Sequence, residues 1–233
     1  MFFLIARSKN YVLLTVMAIA LAACGVGSEN SSTASTVAKG VKNAALTCAA
    51  GGTCLVGDTG PGGGKVFYVA PTSFTSTGSA CGSACKYLEG APIGWNTGTT
   101  PVRQTRCTIT RSLLPSRECE WSGNKRDLVG TQTRIGSGFA NTSAMIAQSK
   151  DVGKAATVAR AYRGGGKSDW FLPSKDELNE MFVNRGLFLI LYNYWSSSEV
   201  AAWSSWAQAF DTGRQYALNK ELNKGYVWPV RAF

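Results

Sequence analysis

Asp169-Trp170-Phe171-Leu172-Pro173-Ser174-Lys175-Asp176-Glu177-Leu178 is the most telling stretch of the 233-residue chain, and Tyr194-Trp195-Ser196-Ser197-Ser198 follows it. Ser174 and Glu177 stand at the spacing of a capping box, in which the serine accepts from the amide three residues on and the glutamate reaches back. A helix therefore starts at Ser174, and Leu178, Met181 and Phe182 give it one apolar face. Trp170, Phe171 and Leu172, just ahead of Pro173, read as core. Large aromatics beside a helix cap more often pack than stack on a ligand.

Upstream, Val152, Ala155, Ala156, Ala159 and Tyr162 recur at helical spacing in a segment, Val152 to Arg163, that stops at Gly164-Gly165-Gly166. A shorter helix is expected over Asn141 to Ser149. Downstream the pattern turns to short strands: Tyr194 to Ser198, Trp206 to Phe210, Arg214 to Lys220 and Tyr226 to Phe233. Turns at Asp211-Thr212-Gly213 and Asn223-Lys224-Gly225 separate the last three. Trp195 and Trp206 read as core, and Trp203 is open between core and surface. The expected class is α+β, an antiparallel sheet meander with two or three helices packed on it.

Toward the N-terminus, Gly57 to Gly64 is a turn-dense loop that feeds a strand, Lys65 to Ala70. The loop does not match a phosphate cradle. A P-loop needs glycine where Thr59 stands and Ser or Thr where Val66 stands, and a dinucleotide fingerprint needs glycine at Lys65. Residues 71 to 135 read mostly as loop, with strand candidates at Lys86 to Ala91 and around Trp95. Arg103, Arg106, Arg111, Arg117, Lys125, Arg126 and Arg134 crowd this region against Glu118, Glu120 and Asp127. Such a run is commonly a solvated face. Here it lies among cysteines and is rich in arginine, whose planar fork suits sulfate and carboxylate, so a binding patch is the second reading.

The first residues have the three parts of an export signal: basic Arg7 and Lys9, the apolar run Tyr11 to Ala20, and Leu21-Ala22-Ala23-Cys24. The apolar run is shorter than the roughly 20 residues that span a bilayer. A cysteine straight after Leu-Ala-Ala resembles a lipobox, which implies cleavage before Cys24 and lipidation of its thiol. Residues 1–23 are then a lipoprotein signal peptide, and 24–46, rich in Ser, Thr, Ala and Gly, a flexible tether with a reach of roughly 25 Å. Residues 47–233 form the domain. The expected partner is a membrane, held through the N-terminal lipid. The expected location is extracytoplasmic, on the outer membrane or the outer face of the cell membrane. Loss of Arg7 and Lys9 lowers the formal charge from +10 to +8, a balance that favours polyanions.

Seven cysteines become six once Cys24 is set aside. An even set outside the cytoplasm suggests disulfides. Sequence alone allows many connectivities. Neighbour pairing, Cys48–Cys54, Cys81–Cys85 and Cys107–Cys119, is the expectation, because each couple lies within one loop. The rival, a zinc site at Cys81 and Cys85, lacks a second compact pair. The chain has no histidine, which excludes histidine metal ligands and histidine-based triads. Asp169, Asp176, Glu177, Glu180 and Glu199 could be imagined as a hydrolase pair. Asp176 and Glu177, however, are explained by the helix start, and no other pair is fixed at a useful separation. No enzyme activity, cofactor, metal or nucleic-acid partner is expected.

Several of these stretches together resemble one family. They are Gly57-Asp58-Thr59-Gly60-Pro61-Gly62-Gly63-Gly64-Lys65-Val66-Phe67-Tyr68, Asn141-Thr142, and Gly165 to Leu178. Tyr194 to Glu199, Trp206 to Phe210 and Val230-Arg231-Ala232-Phe233 complete the set. The family is the Lcl C-terminal-like domain, the C-terminal domain of bacterial collagen-like adhesins, and the resemblance covers about residues 55 to 233. It implies a fold related to the C-type-lectin-like and formylglycine-generating-enzyme folds. Because the founding adhesin binds sulfated glycosaminoglycans and is trimeric, it also implies a homotrimer and an acidic polysaccharide as partner. The chain departs from the family in having Trp228 where the usual ending has arginine, and a short tether where the adhesin has a collagen-like stalk. The cysteine- and Arg-rich segment at about 78–135 looks like an insertion. The calcium triplets of C-type lectins are absent, and no cysteine follows Cys119, so neither calcium nor copper chemistry carries over.

The resulting expectation is a surface-anchored adhesin or binding module for anionic polysaccharide. Arg103, Arg106, Arg111, Arg160, Arg163 and Lys167 are its candidate contacts. A structural envelope lipoprotein is the alternative, and a glycan-processing enzyme ranks third.

Overall fold

The computed structural model describes residues 45–96, 107, 118–188 and 191–233. Among them the chain is α+β, with three α-helices and two sheets. In chain order the elements are β1 (Lys65–Phe74), β2 (Cys85–Gly90), β3 (Glu118–Cys119), α1 (Gly138–Gln148), α2 (Ala155–Ala161) and α3 (Lys175–Val183). β4 (Asn193–Ala201), β5 (Ser204–Ala209), β6 (Gln215–Asn219), β7 (Gly225–Tyr226) and β8 (Val230–Ala232) follow. One sheet runs β1-β2-β8, the other β3-β7-β4-β5-β6.

The expected meander is present only from β4 to β6, whose neighbours pair antiparallel. The segment from Tyr226 to the end is not one strand. Its first part, β7, crosses to the far side of β4 and pairs with it in parallel at Tyr194 and Tyr226. Its last part, β8, joins the other sheet, with Leu88 opposite Ala232 and Gly90 opposite Val230. Pro229, which has no N–H to donate to a ladder, stands between the two pieces. The single expected meander is thus replaced by two sheets that share the C-terminal segment. β2, at the start of the segment that looked inserted, is the central strand of the smaller sheet. Trp95 lies in a turn rather than a strand.

The Trp170-Phe171-Leu172-Pro173 stretch ties the sheets together. Phe171 exchanges backbone hydrogen bonds with Val230 of β8, and the Ser197 N–H of β4 donates to the Pro173 carbonyl at 2.7 Å. Trp170 and Phe171 are fully buried in one apolar cluster with Phe67, Leu88, Met181, Phe188 and Phe210. Leu172 belongs to a second cluster with Trp121, Met145, Val158 and Trp195. Truncating an aromatic in such a position typically costs about 3–5 kcal/mol. β4 seats its serines against the helical layer: Asn141 donates to Ser197 Oγ, and the Lys175 N–H donates to Ser198 Oγ at 3.0 Å.

α3 begins as its sequence demands. The Ser174 Oγ accepts from the Glu177 N–H, and Glu177 Oε2 accepts from the Ser174 N–H at 2.7 Å. Glu177 is fully buried and also accepts from the Gly136 N–H at 2.8 Å. α2 is shorter than the periodic segment that predicted it, because Val152 is exposed and the helix starts only at Ala155. The three neighbouring cysteine couples are bridged, with Cα–Cα distances of 4.7, 5.0 and 4.9 Å for Cys48–Cys54, Cys81–Cys85 and Cys107–Cys119. Two of them reach an element edge: Cys85 opens β2 and Cys119 closes β3.

Candidate binding surfaces

Of the six basic candidates, Arg103, Arg106 and Arg111 lie outside the described residues, as does Cys24. Arg160, Arg163 and Lys167 come together at the end of α2 and the glycine turn after it. Their settings differ. Arg160 is half-buried, its guanidinium 4.0 Å from the centre of the Phe139 ring, and it donates to the Trp170 carbonyl at 3.0 Å and to Ser143 Oγ at 3.1 Å. Those contacts occupy much of its fork. Arg163 is exposed, with one nitrogen donating to the Arg160 and Tyr162 carbonyls. Lys167 is partly exposed. Of the three, Arg163 and Lys167 present charge to solvent.

The turn Gly164–Gly166 packs on the Gly57–Gly64 loop. Gly165 has φ 58°, and a Cβ there would stand 2.7 Å from Gly62 backbone atoms. The glycine loop is closed around an anion from within the protein. Gly62 N–H donates to Glu89 Oε1 at 2.9 Å and Gly64 N–H to Oε2 at 3.1 Å. Arg231, opposite Glu89 in the β2–β8 pair, completes the cluster, donating to Glu89 at 3.0 Å and to Asp169 at 2.6 Å. Burial pushes the Glu89 carboxyl above its ordinary value, against the opposing pull of Arg231 and the two glycine amides.

Other acids are likewise turned inward. Glu120 meets Lys154 and, at 2.8 Å, Lys125. Lys125 and Lys154 hold its carboxyl below its ordinary value although burial works the other way. Glu199 accepts from the Val129 and Gly130 N–H groups and pairs with the fully buried Lys220 at 2.5 Å. Lys220 lies over the Trp121 ring at 4.1 Å. Exposed positions among the described residues carry seven cations (Arg126, Arg134, Lys150, Arg163, Arg185, Arg214, Lys224) and four acids (Asp127, Asp151, Asp211, Glu221), with Arg126 paired to Glu221, so the exposed positions are net positive.

A second feature was not read from the sequence. Trp95, Asn96, Leu191, Tyr192, Tyr194, Tyr226, Val227 and Trp228 line a cleft of about 340 Å³. Tyr192 and Tyr226 stack nearly parallel, ring centres 4.8 Å apart at 15°. Tyr194 and Trp228 meet edge to face, and the Trp228 N–H is turned away to the Ala91 carbonyl at 2.8 Å. The only hint was the density of aromatics in turns, since the residues are far apart along the chain. Trp203 is at the surface, 63% exposed and outside this cleft, while Trp206 is half-buried beneath Lys175 rather than in the core.

Among the described residues no group of three or more Cys, Asp or Glu side chains is placed to hold a metal ion, and no helix is long and apolar enough to cross a membrane. The aromatic cleft carries no carboxylate. A more open one, at Gly123, Lys125, Arg126, Gln148 and Ser149, carries Glu221 alone. Comparison with protein-family models and with curated proteins finds no match for this chain.

Proposed function

We propose that the chain is a surface-anchored bacterial lipoprotein of the Lcl C-terminal-like type, tethered through Cys24, whose domain binds anionic polysaccharide. We further propose that its fold is related to those of C-type lectins and formylglycine-generating enzymes. The observation that carries the binding reading is the sorting of charge: carboxylates of Glu89, Glu120, Glu199 and Asp169 are paired inward, leaving seven exposed cations against four exposed acids. Contacts from exposed cations are each worth only about 1 kcal/mol or less, so affinity comes from many of them along a polymer. Such binding weakens steeply as salt screens it over a Debye length of about 8 Å at physiological ionic strength.

The test is retention of the detergent-solubilised chain on immobilised heparin. Retention at low salt without calcium, and earlier elution when Arg103, Arg106 and Arg111 or Arg163 and Lys167 are replaced by alanine, is expected. Flow-through at low salt, or elution indifferent to both sets, replaces this reading with a structural envelope role.

A further inference from the structure

The aromatic cleft differs from the basic surface in every physical respect. Its eight lining residues include no charged side chain. Its polar groups are the phenols of Tyr192, Tyr194 and Tyr226 and the Asn96 amide, all neutral. Its walls are ring faces and edges. Leu191 and Tyr192 at its rim are each 61% exposed.

Tyr192 is also the one non-glycine residue among those described with a left-handed backbone, at φ 88°. For a bulky side chain that conformation is an outlier, disfavoured by the approach of its Cβ to the neighbouring carbonyl oxygen. The Phe210 N–H holds it by donating to the Tyr192 carbonyl at 2.9 Å. In this conformation the exposed ring lies flat against Tyr226. Strain kept in place by surrounding structure concentrates at binding sites.

We propose that this cleft binds a sugar ring of a glycan, one pyranose face stacked on the outer face of the exposed Tyr192 ring, which Tyr226 backs from the other side, with its hydroxyls meeting the Tyr192 phenol and the Asn96 amide. A pyranose has an apolar C–H face and a rim of hydroxyls, and it needs a flat π surface beside neutral donors and acceptors. The cleft offers both, the combination that makes tyrosine and tryptophan suited to half-apolar ligands. At about 340 Å³ it lies at the small end of ligand sites and admits one ring or two. Burial and the neighbouring phenols raise the Tyr194 hydroxyl above its ordinary value, so it stays a neutral donor over the physiological range. The proposal shares its ligand class with the polysaccharide reading but not its force: stacking is indifferent to salt.

The experiment titrates the detergent-solubilised full chain with neutral oligosaccharides (maltotetraose, cellotetraose, chitotetraose) in about 1 M sodium chloride, where charges beyond about 3 Å are screened. Intrinsic tryptophan fluorescence and calorimetry are the readouts. Saturable binding of at least one sugar is expected. Tyr192→Ala weakens it about tenfold, the worth of one aromatic contact, and Tyr226→Ala, which removes the ring behind Tyr192, weakens it less. Tyr192→Phe, which keeps the ring, retains it, and Arg163→Ala with Lys167→Ala leaves it unchanged. The proposal is overturned if none of the three sugars binds, if Tyr192→Ala binds like the wild type, or if choline chloride saturates the cleft in their place. Heparin retention at low salt is scored separately, so loss of the charge reading and loss of the cleft reading give different results.

Discussion

Phe171 and Val230 exchange two backbone hydrogen bonds, at 2.8 and 2.9 Å, although 59 residues separate them in sequence. This bridge joins the stretch ahead of α3 to the last strand, so the two apolar clusters are built around a pairing that forms only when the C-terminal segment is in place. Phe171→Ala should lower stability by about 3–5 kcal/mol. Removing Val230 to Phe233 should abolish cooperative unfolding. Urea denaturation followed by tryptophan fluorescence reads both, and a truncated chain with a wild-type midpoint would contradict the bridging role.

Glu177 makes stability depend on pH. Burial pushes its carboxyl from the ordinary 4.5 to about 7, more strongly than the amides of Ser174, Gly136 and Gly138 pull it down. The folded state therefore holds a proton that the unfolded chain releases near 4.5. The contribution is complete below that value and is lost as pH rises through 7. Its size is on the order of 3 kcal/mol. Between pH 4.5 and 8 the urea midpoint of Glu177→Gln should fall less than that of the wild type; equal slopes would show that the carboxyl is ionised throughout.

Arg231 sits between Glu89 and Asp169 with its guanidinium largely buried. Arg231→Met leaves both carboxylates without their cation and should cost about 3–5 kcal/mol. Adding Glu89→Gln to that variant should recover part of the loss, because the neutral amide removes a buried charge. Thermal midpoints of the two variants measure this. No recovery in the double variant would mean that the glycine amides alone satisfy Glu89.

Mass spectrometry reads the covalent expectations. Non-reducing digestion should yield Cys48–Cys54, Cys81–Cys85 and Cys107–Cys119 and no free thiol among the six. The intact protein should lack residues 1–23 and carry acyl chains on Cys24, and Cys24→Ala should leave an uncleaved precursor. A mature chain without lipid would remove the anchor from the proposed function.

Features governed by neighbours in sequence were legible. The capping box at Ser174 and Glu177, the cysteine couples and the β4–β5–β6 meander all rest on contacts within a few residues of a turn or cap. What escaped depends on distant partners. β7 has two residues and one parallel pair, too short to leave a period. Trp206 reads as core from its place in a short strand, yet it is half-buried with Lys175 over its ring, which only the packing of α3 on the sheet reveals. The aromatic cleft draws Trp95 and Tyr192 from segments about a hundred residues apart, and neither belongs to a motif. Arg160 looked like its neighbour Arg163 in sequence, and only tertiary contacts separate a guanidinium laid on Phe139 from one facing water.

The glycine loop around Glu89 has a further implication. Converging backbone N–H groups such as those of Gly62 and Gly64 make a concavity of the kind that elsewhere receives phosphate. Here the guest is covalently part of the host, delivered by β2 at an effective concentration no free anion can match. The concavity is consequently filled once, when the chain folds, and stays filled for the life of the molecule. Millimolar phosphate or nucleotide should find no vacancy there, and the glycines at 60, 62 and 64 are fixed by an internal carboxylate, not by any visiting ligand.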